Sequence, residues 1–265
     1  MTMRIAVTGA DGLLGRHVVA AIAESDHTAI PIDLTAPPGG IACDVTDHDA
    51  LRQAVGDADA LIHLAGIPTL SQHPSHVVHN TNVRASFNAL SVAAEMGISR
   101  VVMASSINAI GGYFSVSPRY DYFPVDESHP SYCQDAYGLS KREGELQATM
   151  MTASHPELSV LSLRYHALIS RSAAHIDRQS PARLSGDLWG WTPLEAAAEA
   201  TLRACFVPVD GHEIVFLVAS TTLSSASTRE LAARHYPDVP LRRPLDGNAS
   251  FYNSDRAREL LEWAE

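Results

Sequence analysis

The sequence predicts an α/β fold, a doubly wound parallel sheet flanked by helices, with a small C-terminal annex. Three observations carry that prediction. Short apolar runs alternate with amphipathic stretches along most of the chain, the pattern of strands joined by crossover helices. A glycine-rich turn, Thr8-Gly9-Ala10-Asp11-Gly12-Leu13-Leu14-Gly15, joins the first apolar run to the first amphipathic one. An acidic residue, Asp33, closes the second apolar run.

The elements follow in order. Arg4 to Thr8 reads as the first strand, the stretch from Gly12 to Glu24 as a helix, and Thr28 to Asp33 as the second strand. A Pro/Gly break at Pro37-Pro38-Gly39-Gly40 leads to a third strand, Ile41 to Val45. A short helix from Asp47 to Val55 follows, with Thr46 and Asp47 as its caps. Ala60 to Ala65 is a buried strand, and Val77 to Met96 is a long helix stopped by Gly97. Arg100 to Ser106 is a strand, Asp135 to Ser154 a helix, and Ser159 to Arg164 and Glu213 to Ala219 two further strands. Between them Pro193 to Phe206 forms a helix. Ser227-Thr228-Arg229-Glu230 is a capping box, and Ser254 caps a last helix from Asp255 to Trp263. Gly111 to Gln134 reads as one long loop, a length that usually marks function.

Composition narrows the class. A formal charge of −11 argues against nucleic acid or an anionic membrane as partner. Three scattered cysteines, Cys43, Cys133 and Cys205, without CxxC spacing fit a reducing compartment. The start resembles no signal peptide, and no apolar run approaches the roughly 18 residues of a membrane span. The cytoplasm is the expected location.

Gly9, Gly12 and Gly15 give a tight turn, close backbone approach and free N–H groups at a positive helix end, the needs of a bound pyrophosphate. The spacing is GxxGxxG, which alone would suit a structural turn. Asp33 adds weight, because its carboxylate can accept from both adenosine ribose hydroxyls and repels a 2′-phosphate. NAD is therefore expected over NADP, with Arg16 read as a solvated first-turn arginine. Leu13 and Leu14 belong to the same turn. Asp44 and Val45 are placed to meet adenine, and Leu64, Ala65 and Gly66 let backbone approach the nicotinamide half. His63 is read as a core or rim histidine.

Tyr137 and Lys141 lie at i and i+4 on one helix face. A free phenol titrates near pH 10, too high for a base at neutral pH. A neighbouring ammonium, with the charge of oxidised nicotinamide, is expected to favour the phenolate. The strand end Met103-Ala104-Ser105-Ser106 supplies hydroxyls for a reacting oxygen.

With these pieces in order, the chain resembles the extended short-chain dehydrogenase/reductases, the NAD-dependent epimerase/dehydratase family. The resemblance covers the glycine turn, Asp33, Asp44-Val45, His63 to Gly66, Asn80-Thr81-Asn82-Val83 and Val102 to Ser106. It continues through Phe123 to Glu127, Tyr137 to Lys141, Leu163-Arg164 and the last helix. It implies a Rossmann-type domain over residues 1–165 and a small substrate-binding region over 166–265, with about 213–219 returning to the main sheet. It implies Tyr137 as acid/base, Lys141 as its partner, and Ser106 rather than Ser105 as the active serine, since Ser106 stands five residues before Gly111. Asn82 matches a helix asparagine, usually structural and sometimes credited with proton relay. Asn108 would face substrate, with Tyr165, His166 and Arg171 from the irregular stretch that follows. A homodimer through the Val77 and Tyr137 helices is also implied.

Departures from the family pattern shape the functional expectation. The stretch Ser106-Ile107-Asn108-Ala109-Ile110-Gly111 lacks the Asp-Glu pair of dehydratases, which argues against dehydration. The family's usual Gly-Pro run after its sixth strand is replaced by Arg164 to Ser170, and the C-terminal part is short for gripping a nucleotide sugar. In length and in Ser105 to Gly111 the chain is similar to uronate dehydrogenase-like members. The expectation is an NAD-dependent oxidoreductase acting on a secondary alcohol of a small sugar, sugar acid or polyol. An NAD-retaining epimerase is the alternative, and a non-catalytic NAD-binding protein a more distant one. His73, His76 and His79 read as a solvated helix entrance rather than a metal site. Arg171 or Arg178, with His175 nearby, could clamp a carboxylate or phosphate. Trp189 and Trp191, bracketing Gly190, are read as packing between annex and core.

Overall fold

A computed structural model describes residues 2–69, 73–173 and 185–264. Among them, seven parallel strands make the main sheet in the order β3-β2-β1-β4-β5-β6-β9. These are β1 (Arg4–Thr8), β2 (Thr28–Asp33), β3 (Ile41–Ala42), β4 (Ala60–His63), β5 (Arg100–Ser106), β6 (Ser159–Tyr165) and β9 (His212–Leu217). The expected doubly wound sheet is present. Strand order reverses between β1 and β4, and at such a switch point the two crossovers depart to opposite faces and leave a crevice at the strands' carboxyl ends.

The sheet is buried on both faces because its central strands carry apolar residues on both. Ile5, Val7, Ile62 and Leu163 pack under α1 (Leu13–Ala23) and α5 (Leu194–Arg203), joined by Ala257 and Leu261 of α7 (Asp255–Leu261). Ala6, Leu61, Val101 and Val160 pack under α2 (His48–Val55), α3 (Ser75–Glu95) and α4 (Ala136–Ser154). A third cluster, including Phe123, Trp189, Phe216 and Phe251, joins the long loop to the C-terminal region. Trp189 sits there as a packing residue, while Trp191 donates its Nε1–H to Thr221 O. Among the described residues no helix is long and apolar enough to cross a membrane.

Several boundaries differ from the sequence reading, each for a local reason. β3 is only Ile41–Ala42, because the Asp44 carboxylate accepts from Thr46 N and Oγ1 and turns the chain out of the sheet. Asp47 does cap α2, accepting from Ala50 N at 3.0 Å. α3 begins two residues early, at Ser75, where Pro74 supplies the first carbonyl to Val77 and Val78. The helix expected over Pro193 to Phe206 runs Leu194–Arg203, with Pro193 at its N-cap; Thr192 and Pro193 form β8 and pair with β7 (Leu168–Ile169). The last sheet strand starts at His212 and stops at Leu217. The capping box at Ser227 and Glu230 forms and opens α6 (Thr228–His235). Ser254 occupies the N-cap position of α7 without capping it, since its hydroxyl exchanges hydrogen bonds with Val218 N and O.

The long loop is anchored through its middle. Phe123 bridges Leu241, Val125 bridges Tyr252, and Ser131 donates to Ala109 O. Only Tyr113 and Phe114 of this loop reach the crevice described next.

Candidate active site

One cleft of about 930 Å³ runs along the carboxyl ends of the strands. At one end it is lined by Gly9, Gly12, Leu13, Leu14, Gly15, Asp33, Asp44 and Val45. Leu64, Ala65 and Gly66 form its middle. Ser106, Asn108, Tyr137, Lys141, Tyr165 and His166 line the other end. Residues from seven separate stretches of chain thus meet in one space.

The glycine turn is held by contact distances that exclude any side chain. A Cβ on Gly9, whose φ is +72°, would stand 2.7 Å from Ala65 N, and one on Gly15 would stand 2.0 Å from Gly9 O. The first contact brings β1 and β4 together at the switch point, and the second seats α1 on the turn. No side chain caps α1 at Gly12, so its opening N–H groups face the cleft end. Asp33 shapes the same end: Oδ2 accepts from Asp11 N at 2.8 Å and Oδ1 from Leu34 N at 2.7 Å. A carboxylate has about four acceptor sites, which leaves room for two ribose hydroxyls. Arg16 points toward Asp11, 3.6 Å away and well exposed, as a solvated arginine would. These residues fit a dinucleotide: a side-chain-free cradle at a helix N-terminus, with an acceptor-only carboxylate one strand away.

At the far end, α4 is pressed against the turn after β5, since a Cβ on Gly138 would lie 2.4 Å from Asn108 O. Asp135 caps the helix by accepting from Gly138 N at 2.7 Å, which fixes the turn that presents Tyr137. Phe114 stands edge-on to the Tyr137 ring, with centroids 5.7 Å apart. Lys141 donates to Ala104 O at 2.9 Å and lies 5.8 Å from the Tyr137 ring centre. Ser106 Oγ accepts from Asn108 N at 3.1 Å.

Ser105 and Ser106, adjacent in sequence, have different partners. The Ser105 hydroxyl donates to Glu145 Oε1 at 2.7 Å. Glu145 is 2% exposed and receives Arg164 through Nε at 2.7 Å and Nη2 at 2.8 Å, with Arg142 at 3.0 Å. Burial alone would raise the Glu145 carboxyl, but the two-pronged Arg164 outweighs it and holds it below the usual carboxylate value. This bidentate pair ties α4 to β6 directly behind Lys141. The sequence signal was a glutamate four residues after Lys141 on the same helix face. An i, i+4 pair on a helix ordinarily faces solvent, so the spacing alone does not mark it.

The electrostatics correct one expectation. Burial pushes the Tyr137 phenol up to about 12, against the pull of the Ser106 hydroxyl. Burial likewise lowers the Lys141 ammonium to about 8, with Glu145 opposing. Desolvation, rather than attraction between the pair, dominates both groups.

Some expected positions lie elsewhere. Asn82 is outside the cleft lining: its amide accepts from Ile67 N at 2.7 Å and donates to Ile67 O and Ser140 Oγ, pinning the β4 loop to α4. Arg171 is exposed and also outside the lining, its backbone N–H directed to Glu195. His175 and Arg178 fall outside the described residues. Tyr165 lines the cleft but commits its hydroxyl to Thr201 at 2.7 Å. His166 accepts from Ala167 N at Nδ1, so Nε2 carries the proton and donates to Asp187 O at 2.9 Å. His63 is a core histidine whose Nδ1 meets Thr8 Oγ1 at 2.8 Å, and burial lowers it to about 3. His79 turns toward Glu143 on α4 at 3.2 Å. Phe87 on α3 and Leu139, Leu146 and Met150 on α4 are exposed apolar residues on the two helices where the resemblance implies a partner copy.

Comparison with known proteins bears on the family and the fold. The family model described as the NAD dependent epimerase/dehydratase family matches residues 5–186. An L-arabinose 1-dehydrogenase (NAD(P)(+)) of Haloferax volcanii is 31% identical over 198 residues, covering 70% of this chain and 76% of that protein. A uronate dehydrogenase of Pseudomonas syringae is 26% identical over 223 residues, covering 82% and 74%. A short-chain dehydrogenase/reductase superfamily structure from Agrobacterium tumefaciens with bound NAD superposes with a TM-score of 0.76. It is 22% identical and covers 99% of this chain and 92% of that one.

Proposed function

The chain belongs to the NAD dependent epimerase/dehydratase family, and from that premise we propose that it is an oxidoreductase that oxidises a secondary alcohol of a small sugar, sugar acid or polyol. NAD is the family's cofactor, and it supplies a hydride acceptor. One observation carries the reading: Ser106, Tyr137 and Lys141 meet at one end of the cleft whose other end holds the glycine turn and Asp33.

In the proposed oxidation the Tyr137 phenolate takes the hydroxyl proton and Ser106 donates a hydrogen bond to the oxygen that remains. Lys141, fixed through Ala104 O, holds the nicotinamide ribose and lowers the cost of the phenolate once the site is filled. Asp33 and the turn from Gly9 to Gly15 hold the adenosine and pyrophosphate portions.

The test is a panel of neutral sugars, sugar acids and short hydroxy compounds, each incubated with NAD and followed by NADH absorbance. A dehydrogenase gives net absorbance. Turnover of a sugar to its epimer with no net absorbance would replace this reading with the epimerase one, which uses the same three side chains. Run with NADP, the same panel is expected to give rates at least about tenfold lower, because Asp33 faces the site of the 2′-phosphate. Equal rates would remove Asp33 from the selectivity.

A further inference from the structure

Asn108 lines the cleft together with Ser106 and Tyr137, yet its polar groups are engaged within the protein. Ser106 is the N-cap of a short 3-10 turn, Ile107–Ile110, and its oxygen accepts from Asn108 N at 3.1 Å. The Asn108 side chain returns to the same oxygen, with Nδ2 lying 3.4 Å from Ser106 Oγ. That second bond is long, in the range from which catalytic hydrogen bonds tighten in the substrate complex. The direction of the amide is fixed from its other end, because Oδ1 accepts from Phe114 N at 3.5 Å. An amide oxygen facing that N–H leaves the NH2 group facing Ser106.

The turn itself is pinned. Asn108 O accepts from Gly111 N at 3.0 Å and abuts α4 at Gly138, and both Asn108 and Ser106 are buried. A hydroxyl has one hydrogen to give and two lone pairs to receive. Both lone pairs of Ser106 meet Asn108, so the hydrogen is what remains for a further partner. That partner is the Tyr137 oxygen: burial raises the phenol, and the Ser106 hydroxyl pulls it back.

We propose that Asn108 is a positioning residue, which occupies the Ser106 oxygen with two donors and so commits the Ser106 hydrogen to the Tyr137 oxygen and the substrate oxygen beside it. The proposal rests on the oxidoreductase reading above and deepens it. A serine held in this way donates and does not accept. The proton of the substrate hydroxyl then has one acceptor, the Tyr137 oxygen. The Ser106 bond strengthens as negative charge gathers on the substrate oxygen. A carboxylate in place of the amide would accept instead and draw the Ser106 hydrogen to itself.

A double-variant cycle tests this through turnover, and a phenol titration tests it without turnover. kcat and KM for the best sugar of the NADH panel are measured for the native chain, Asn108→Ala, Ser106→Ala and the pair together. Asn108→Ala is expected to lower kcat about ten- to thirtyfold with KM within about threefold of native, and to add almost nothing in the Ser106→Ala background. Asn108→Asp, close in size but an acceptor, should cost kcat at least as much, and it takes the place of the Ala variant if that one folds poorly. NMR of ring-labelled tyrosine, with the Tyr137 signal assigned from Tyr137→Phe, follows the phenol with and without NAD. Its titration should move upward by the same amount in Asn108→Ala and Ser106→Ala, since each removes the pull of the hydroxyl. Asp135 and Lys141, charged neighbours of the phenol on α4, are the same in both. Losses in kcat that multiply in the pair would make Asn108 a substrate contact and overturn the proposal. So would native kcat in both Asn108 variants, or a phenol titration that Asn108→Ala leaves unmoved. A merely structural role gives that last result, with a lowered melting temperature. If no sugar yields NADH, yet both variants move the phenol together, the positioning stands and the oxidoreductase reading falls.

Discussion

Replacing Tyr137 with Phe is expected to lower kcat about a thousandfold, within the range that a positioned acid/base contributes. The change removes one buried hydroxyl and leaves the ring in place against Phe114, so the melting temperature and NAD affinity should stay near native. Oxidation by the native protein should quicken as pH rises through neutrality. Burial raises the phenol, so the phenolate fraction grows about tenfold per pH unit below its titration point. The Phe variant should lose that slope. A variant with native turnover would rule out Tyr137 as the base, whatever its position in the cleft.

Glu145→Ala should be the most damaging single change to stability. It leaves Arg164, 1% exposed, without its bidentate partner, and its Nη1 already lacks a hydrogen bond. Breaking a buried ion pair from one side costs about 3–5 kcal/mol, which corresponds to a fall in melting temperature of roughly 10 °C for a chain of this size. Removing both partners with apolar residues, Glu145→Leu with Arg164→Leu, should recover much of the loss. The Glu145 carboxyl lies below its unfolded value, so its contribution is present above the ordinary carboxylate range and disappears as pH falls through the folded value. Thermal melts of the single and double variants decide the matter. A single variant that melts within a degree or two of native would show that the pair is not holding α4 to β6.

The parallel sheet was legible because alternation of apolar runs and amphipathic helices is a period that local sequence carries, and β1, β2 and β5 fall where it places them. The glycine turn was legible for a steric reason, since few residues other than glycine tolerate a neighbour where Gly9 and Gly15 have one. Tyr137 and Lys141 could be read as a pair because a helix brings i and i+4 together. What could not be read depended on distant partners. Ser254 looks like a cap until Val218 takes its hydroxyl, and Pro193 looks like the first helical residue until, with Thr192, it pairs with Leu168 and Ile169. Glu145 resembles any exposed helix glutamate until β6 delivers Arg164. Asn108 reads as a residue facing substrate until Ser106 and Phe114 take the two ends of its amide.

Lys141 carries a consequence for the fold as a whole. Its half-buried ammonium donates to Ala104 O at the cleft, and desolvation lowers it from 10.5 to about 8. Only well above pH 10.5 is the amine neutral in both the folded and unfolded chain and free of any penalty. As pH falls toward 8 the unfolded chain takes up the proton more readily, and stability drains by about 1.4 kcal/mol per unit, roughly 3 kcal/mol in all. Under neutral conditions the protein therefore carries the cost of one desolvated cation. Melts recorded between pH 8 and 10.5 should reveal that cost as a slope, which would flatten when Met replaces Lys141.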